Sequence, residues 1–177
     1  MKTLLLTFLL AGNLYANNVD LKKSSFFWKG TKVTGEHSGN LSLKSATLKK
    51  GKDGKISSGE FVIDMNTLTI TDLTGEWENK FLAHIKSKDF FNVKKFPNAK
   101  LVITGDNGKA LTGKLTIKGK TNKIKVPYKV KDNAYLGTMT FDRTKFDMNY
   151  GSGSFFKGLG DKMIHDKVTL KFNVKTK

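Results

Sequence analysis

Of the 32 basic residues in the chain, all but one are lysine; the exception is Arg143. It lies in the stretch 141–156, FDRTKFDMNYGSGSFF, where two carboxylates, five aromatic rings and two glycines crowd together. A guanidinium is a rigid planar fork of five donors, whereas an ammonium acts as a hydrated point charge. A single guanidinium in a lysine background points to a task that lysine cannot do, the bland alternative being that codon preference favours lysine and one arginine survived by chance. Two tasks fit the neighbourhood. Arg143 either locks its strand to the following loop through backbone carbonyls or a carboxylate (Asp142, Asp147 and Asp161 are near in sequence), or it meets the polar group of a ligand.

Other chemistry is thinly represented. The three histidines, His37, His84 and His165, form no H-x-H or H-E-x-x-H arrangement, so no local zinc signature exists. His84, between Leu82 and Ile85, reads as a packed or hydrogen-bonded side chain, and His165 sits in an Ile164–Asp166 strand context. Cysteine is absent, which excludes thiolate ligands, cysteine nucleophiles and disulfides. Gly151–Ser154 lacks the G-x-S-x-G elbow and runs into Phe155 and Phe156 rather than a helix. The segment 151–160 lacks the terminal Gly-Lys-Ser/Thr of a phosphate loop. It reads either as a lid over an apolar cavity or as a glycine-rich connection whose aromatics cap a core, and the residues leave both open.

These groups must be positioned by strands. Phe61, Ile63 and Met65 alternate with Val62 and Asp64; Leu111, Leu115 and Ile117 alternate with Thr112, Lys114 and Thr116. The same period of two runs through 124–130 and 168–174, and more weakly through 25–33, 40–48, 100–104 and 136–141. Turn-forming clusters separate the runs at 51–54, 105–108, 119–122 and 131–133. Pro127 predicts an edge position for its strand, or a gap in the ladder there. Between Asp72 and Phe91, the spacing of Trp77, Phe81, Leu82 and Ile85 predicts one helical insertion. About eight antiparallel strands make a sandwich or a closed barrel. Phenylalanine, with 13 copies against four tyrosines and two tryptophans, dominates the inward faces. That supply suits an apolar tunnel and a packed core equally.

The first sixteen residues read as an export signal: Met1 and Lys2, an apolar run over 3–12, and a cleavage site after Ala16. The run is shorter than the ~20 apolar residues of a spanning helix. Cleavage leaves residues 17–177 as a single domain with 31 basic and 15 acidic residues, a formal charge of +16. The lysines are scattered rather than gathered in a tail, which argues for a solvated surface and against nucleic acid as a partner.

In order along the chain, several segments resemble the YceI-like family of exported, lipocalin-like polyisoprenoid-binding proteins. They are 28–39 (WKGTKVTGEHSG), 59–66 (GEFVIDMN) with 71–73, 82–97 (LAHIKSKDFFNVKKFP), 111–121, 141–151 (FDRTKFDMNYG) and 161–166 (DKMIHD). The resemblance covers about 19–174 and implies an all-β fold, an extended eight-stranded antiparallel lipocalin-like β-barrel with a short helical insertion. It implies a periplasmic protein whose tunnel holds a long apolar chain, namely a polyisoprenoid, an isoprenoid quinone or a fatty-acid amide, bound without a covalent cofactor. No secure enzymatic reaction attaches to that resemblance. Alternation and the family pattern together assign Phe26, Trp28, Phe61, Ile63, Leu101, Leu115, Phe141, Phe155, Phe156 and Phe172 to the tunnel lining. His84, Asp89 and Arg143 are the expected polar groups at the helix–barrel junction or the ligand headgroup. Transient contact with an anionic membrane surface and formation of a homodimer are compatible partnerships. The rival classes are an enzyme acting on a lipid or quinone, which needs a nucleophile and base converging in the cavity, and a secreted adhesion or stress module with a solid core.

Overall fold

The computed structural model describes residues 18–177, so the expected export signal at 1–16 lies outside the described residues. Eight strands follow one another: β1 (Ser25–Lys32), β2 (Gly35–Lys50), β3 (Ile56–Asp64), β4 (Asn98–Asp106), β5 (Ala110–Ile117), β6 (Lys120–Lys131), β7 (Ala134–Asp142) and β8 (Ile164–Lys175). Each pairs antiparallel with the next, and β8 pairs with β1 to close the barrel. Every alternating run in the sequence became a strand, and β2 and β6 extend well beyond their runs. Outward threonine, serine and lysine side chains on those extensions are compatible with a strand but carry no periodic signal.

The long strands β2 and β6 each change partner midway. Residues 35–41 of β2 pair with β1, and residues 42–50 pair with β3. Residues 120–127 of β6 pair with β5, whereas residues 128–131 pair with β7. Pro127 stands at that second switch. In a closed barrel it occupies no edge; instead its missing donor falls where no bond is needed. The Tyr128 N–H donates to the Lys109 carbonyl on the β5 side, so by strand alternation the Pro127 nitrogen faces β7, whose ladder begins only at Tyr128.

The corner left on β2 is filled by the β3–β4 connection. Beyond Asp64 the chain runs back along β2: the Thr69 N–H donates to Asn40 O (3.1 Å) and the Thr71 N–H to Ser38 O (2.9 Å). Side chains complete this pairing, as the Ser42 and Asn40 N–H groups donate to Thr67 Oγ1 (2.9 Å) and Thr69 Oγ1 (3.1 Å). Leu68 and Ile70 are thereby buried. The segment leads into helix α1 (Gly75–Lys86), which carries Glu76 and Glu78 in its first turn and His84 and Lys86 in its last, matching the helix dipole at both ends. Phe81, Leu82 and Ile85 pack against the core, and the Phe81 ring lies parallel to Trp28 with centroids 6.2 Å apart. Trp77, placed by spacing on the same face, is instead 70% exposed. It sits one turn before the stack on Trp28 begins, with Lys80 Nζ 5.2 Å from its ring centroid.

Strand order places four connections at one end of the barrel, including the two long ones at 65–97 and 143–163. The other end holds the short turns after β2, β4 and β6. There Asp106 accepts the Ile56 N–H (2.9 Å) and the Tyr128 hydroxyl (2.8 Å), and buried Val19, Ile56 and Tyr135 plug the interior.

The crossing of β2 by residues 67–72 requires a bare backbone at Gly39, where an added Cβ would come 1.9 Å from Thr69 O. Gly39→Ala is expected to lower stability by about 1–3 kcal/mol, as overpacking does. Gly30→Ala, whose Cβ meets only the Trp28 ring at 4.0 Å, should cost far less; chemical denaturation of both variants checks this.

Candidate functional site

The barrel is hollow. A cavity of about 450 Å³ runs along its interior, within the usual range for a ligand site. On β8 the wall is made by Ile164, Val168, Leu170, Phe172 and Val174. From Ile164 to Val174 the strand advances on the order of 33 Å, or roughly 25 Å along the axis of a barrel whose strands tilt by about 40°. The cavity is therefore long and narrow. Phe26, Trp28, Phe61, Ile63, Leu101, Leu115, Phe141 and Phe172 all line it, brought together from six strands by the period of two.

Phe155 and Phe156 do not line it. They are 56% and 51% exposed on the loop after β7. Ser152, wholly buried, bridges to Ile164, and its carbonyl accepts both the Phe155 N–H (3.1 Å) and the Phe156 N–H (2.9 Å). That tight turn directs the paired rings outward. Alternation and the family pattern assigned them to the tunnel, but the period of two does not extend into a loop and cannot fix their direction there.

Polar groups gather at the end carrying the long connections. Thr31, Lys32, His37, His84, Tyr150, Asp161, Lys162 and His165 border the cavity there, so all three histidines meet one opening. His37 Nδ1 lies 2.7 Å from Asp72 Oδ2 and its ring 4.5 Å from Phe81. Burial disfavours the charge on Asp72, but the Ser38 N–H (2.9 Å) and His37 outweigh it and hold the carboxyl below its usual range. His84 packs edge-on against Phe90 and Tyr150, with centroids 5.1 and 4.7 Å away, and thus joins the helix to the β7–β8 loop. Asp89 is off the cavity wall, 3.5 Å from His84 Nε2. His165 Nδ1 lies 2.8 Å from Thr31 Oγ1. His37 was legible in principle, since His37, Gly39 and Leu41 share a face of β2. His165 was not. Between Gly30 and Lys32 the pairing of β1 slips from Val168 to Ile164, and the extra residues on β8 break its alternation.

That slip is where Arg143 acts. The residue is buried, in a short 3-10 turn (Arg143–Phe146) that ends β7. Its Nη2 donates to Ile164 O (3.0 Å) and its Nε to His165 O (3.1 Å), at the point where the register of β8 against β1 shifts. Its Nη1 donates to Met148 O (2.5 Å) and Tyr150 O (2.9 Å) in the loop. Asp166 supplies the counter-charge at 3.4 Å, and its other oxygen accepts from the Ser154 hydroxyl (2.6 Å). Burial lowers the pKa of Arg143, and Asp166 and Asp142 oppose it. Asp142 itself accepts from the Thr144 N–H and hydroxyl. Of the two tasks in the sequence reading, the geometry is that of a lock between strand and loop.

The mostly apolar lumen, the charged and imidazole groups gathered at one end and the closed eight-stranded topology define a barrel shaped to enclose an elongated molecule. The YceI-like domain family model matches residues 18–176, and the chain belongs to the YceI-like family. Among solved structures it is similar to Burkholderia cenocepacia BcnA, at 28% identity over 88% of this chain and 98% of that one, with a TM-score of 0.68. A polyisoprenoid binding domain from Saccharophagus degradans shares the fold at 12% identity over 90% and 97% of the two chains, with a TM-score of 0.62. The Campylobacter jejuni YceI protein does so at 17% identity over 77% and 84%, with a TM-score of 0.56. No curated protein matches the chain.

Two predictions follow from these contacts. Arg143→Lys offers three donors where five were used, and is expected to cost about 2–5 kcal/mol by stranding buried carbonyls. Calorimetry reads this directly, each kcal/mol amounting to about 2–4 °C in a domain of this size. At the far end, burial and the Asp106 carboxylate raise the Tyr128 phenol to about 12. Burial works against the charge on Asp106, but bonds from Ile56, Gly108 and Tyr128 hold its pKa below the usual 3.8. The stability that Asp106 contributes is thus complete above the usual value and lost as pH falls through the lowered one. That from neutral Tyr128 is complete below pH ~10 and lost as pH rises towards 12. Tyr128→Phe should remove the alkaline loss, measured as melting temperature against pH, and abolish one late-titrating phenol in the ultraviolet spectrum.

Proposed function

We propose that this chain is a periplasmic lipid-binding protein that sequesters or carries one long-chain amphiphile, a polyisoprenoid, an isoprenoid quinone or a fatty-acid amide, held without covalent attachment. The observation that carries this reading is the shape and polarity of the cavity: a long, mostly apolar lumen whose charged and imidazole groups gather at the end carrying the long connections. Burial of a hydrocarbon chain contributes roughly 0.8 kcal/mol per CH₂, so many methylenes in contact with Phe, Leu and Ile need no strong polar anchor. The headgroup then selects among chains of similar length through His37, His84, His165, Lys32 and Lys162 at the opening. The description of the Saccharophagus degradans domain as polyisoprenoid binding supports the same class of ligand. Export through the segment 1–16 places the protein where such lipids cross between membranes.

Binding without turnover is the proposed role. Thr31 Oγ1 and His165 Nδ1 form a hydroxyl–imidazole pair at 2.8 Å beside the cavity, but His165 has no carboxylate partner among the described residues. The carboxylate-paired imidazoles, His37 and His84, contact aromatic rings rather than a nucleophile.

Native mass spectrometry of the exported protein tests the proposal. A chain beginning at Asn17 with one co-purifying long-chain lipid is expected, and organic extraction should release that lipid. Leu101→Trp, which fills the lumen at mid-height, should reduce occupancy at least about tenfold. Empty extracts, together with no uptake of added polyprenyl phosphate, ubiquinone or oleamide, would refute it.

A further inference from the structure

Phe155 and Phe156 are over half exposed and adjacent. They are not a slack tip. Both backbone N–H groups are tied to Ser152 O, the Ser154 N–H donates to Ser152 Oγ (3.2 Å), and the Ser154 hydroxyl is held by Asp166. Asp166 and the loop carbonyls are in turn fixed by Arg143. A buried lock therefore holds two large apolar rings in water, at a cost that core burial would have avoided. The loop that presents them is also the wall of the cavity opening, which Tyr150 borders on one side of the rings and Asp161 and Lys162 on the other.

The charges around this loop have one sign in excess. Asp147 is engaged by Lys120, Asp142 by Lys167 and Asp166 by Arg143. Lys32, Lys145, Lys157 and Lys162 form no ion pair among the described residues, and of the nearby acids only Asp161 is similarly unengaged. The whole chain adds a net charge of +17. Apolar rings that point outward, followed in the chain by Lys157 and sharing the mouth of an apolar cavity with the unpaired Lys32 and Lys162, match the interface of an anionic bilayer: rings enter the acyl boundary while ammonium groups meet phosphates.

We propose that the β7–β8 loop is a membrane-docking element, through which Phe155 and Phe156 insert into anionic phospholipid and bring the cavity opening against the bilayer for lipid exchange. This rests on the lipid-carrier reading above, and the experiment separates the two. Co-sedimentation with vesicles of equal parts phosphatidylglycerol and phosphatidylcholine should capture the full mature chain. Pure phosphatidylcholine vesicles, or high salt, should capture much less. The Phe155→Ser/Phe156→Ser variant should lose vesicle affinity at least about tenfold and take up polyprenyl phosphate from vesicles correspondingly more slowly. Its equilibrium loading from detergent solution should stay unchanged, because neither ring lines the cavity. Lys157→Gln should flatten the salt dependence. Val130→Ser, removing a side chain 61% exposed at the opposite end, should change nothing. If the double variant is misfolded by circular dichroism, Phe156→Ala alone is used. Vesicle binding that survives loss of the rings, or rings whose removal converts a dimer to a monomer without altering vesicle binding, overturns the proposal. Failure of wild-type protein to load lipid even from detergent refutes the carrier reading instead.

Discussion

Closing a β-barrel forces every strand to find a neighbour on both sides, and this chain does so only by letting strands slip or switch partners. β2 and β6 change partners at mid-length, and β8 slips against β1 by two residues. Each irregularity strands backbone groups that must be satisfied elsewhere. The β8 slip is the most demanding, because it coincides with a 21-residue departure of the chain between β7 and β8. Arg143 resolves it with one side chain, giving donors to Ile164, His165, Met148 and Tyr150. Closure, loop position and the shape of the opening all depend on that guanidinium.

The opposite corner is solved by backbone rather than by charge. Residues 67–72 take over the edge of β2 after β3 departs, close enough at Gly39 to exclude a methyl group. That pairing sets where α1 starts, and the Trp28–Phe81 stack sets how it lies. The helix buries no side chain fully. It serves as a wall of the opening more than as a part of the core, and it carries His84 to Tyr150 on the opposing loop. Fold and site thus meet in two insertions at one end, with the far end plugged and hydrogen-bonded through Asp106.

Much of this was legible in the residues. Alternation placed Phe61, Ile63, Leu111, Leu115, Leu170 and Phe172 inward because a pleated strand has no other way to arrange them. It located all eight strands, and eight of the ten expected lining residues do border the cavity. The two exceptions, Phe155 and Phe156, lie where no period operates. Their direction follows from a turn around the Ser152 carbonyl, and nothing in GSGSFF specifies which way that turn opens. Trp77 missed its face for a related reason: helical spacing sorts side chains by direction but does not say where the packing partner ends.

By itself, the sequence determined the class of fold, the apolar character of the interior and the singular status of Arg143, because these follow from local periodicity and side-chain chemistry. Only the tertiary structure decided that the interior is hollow and that three scattered histidines share one opening. It also decided that the lone arginine binds four carbonyls together with the Asp166 carboxylate. Those outcomes depend on strand register, on the slip that breaks alternation in β8 and on the path of two long connections. All three are set by contacts between residues far apart in the chain, which no local pattern encodes.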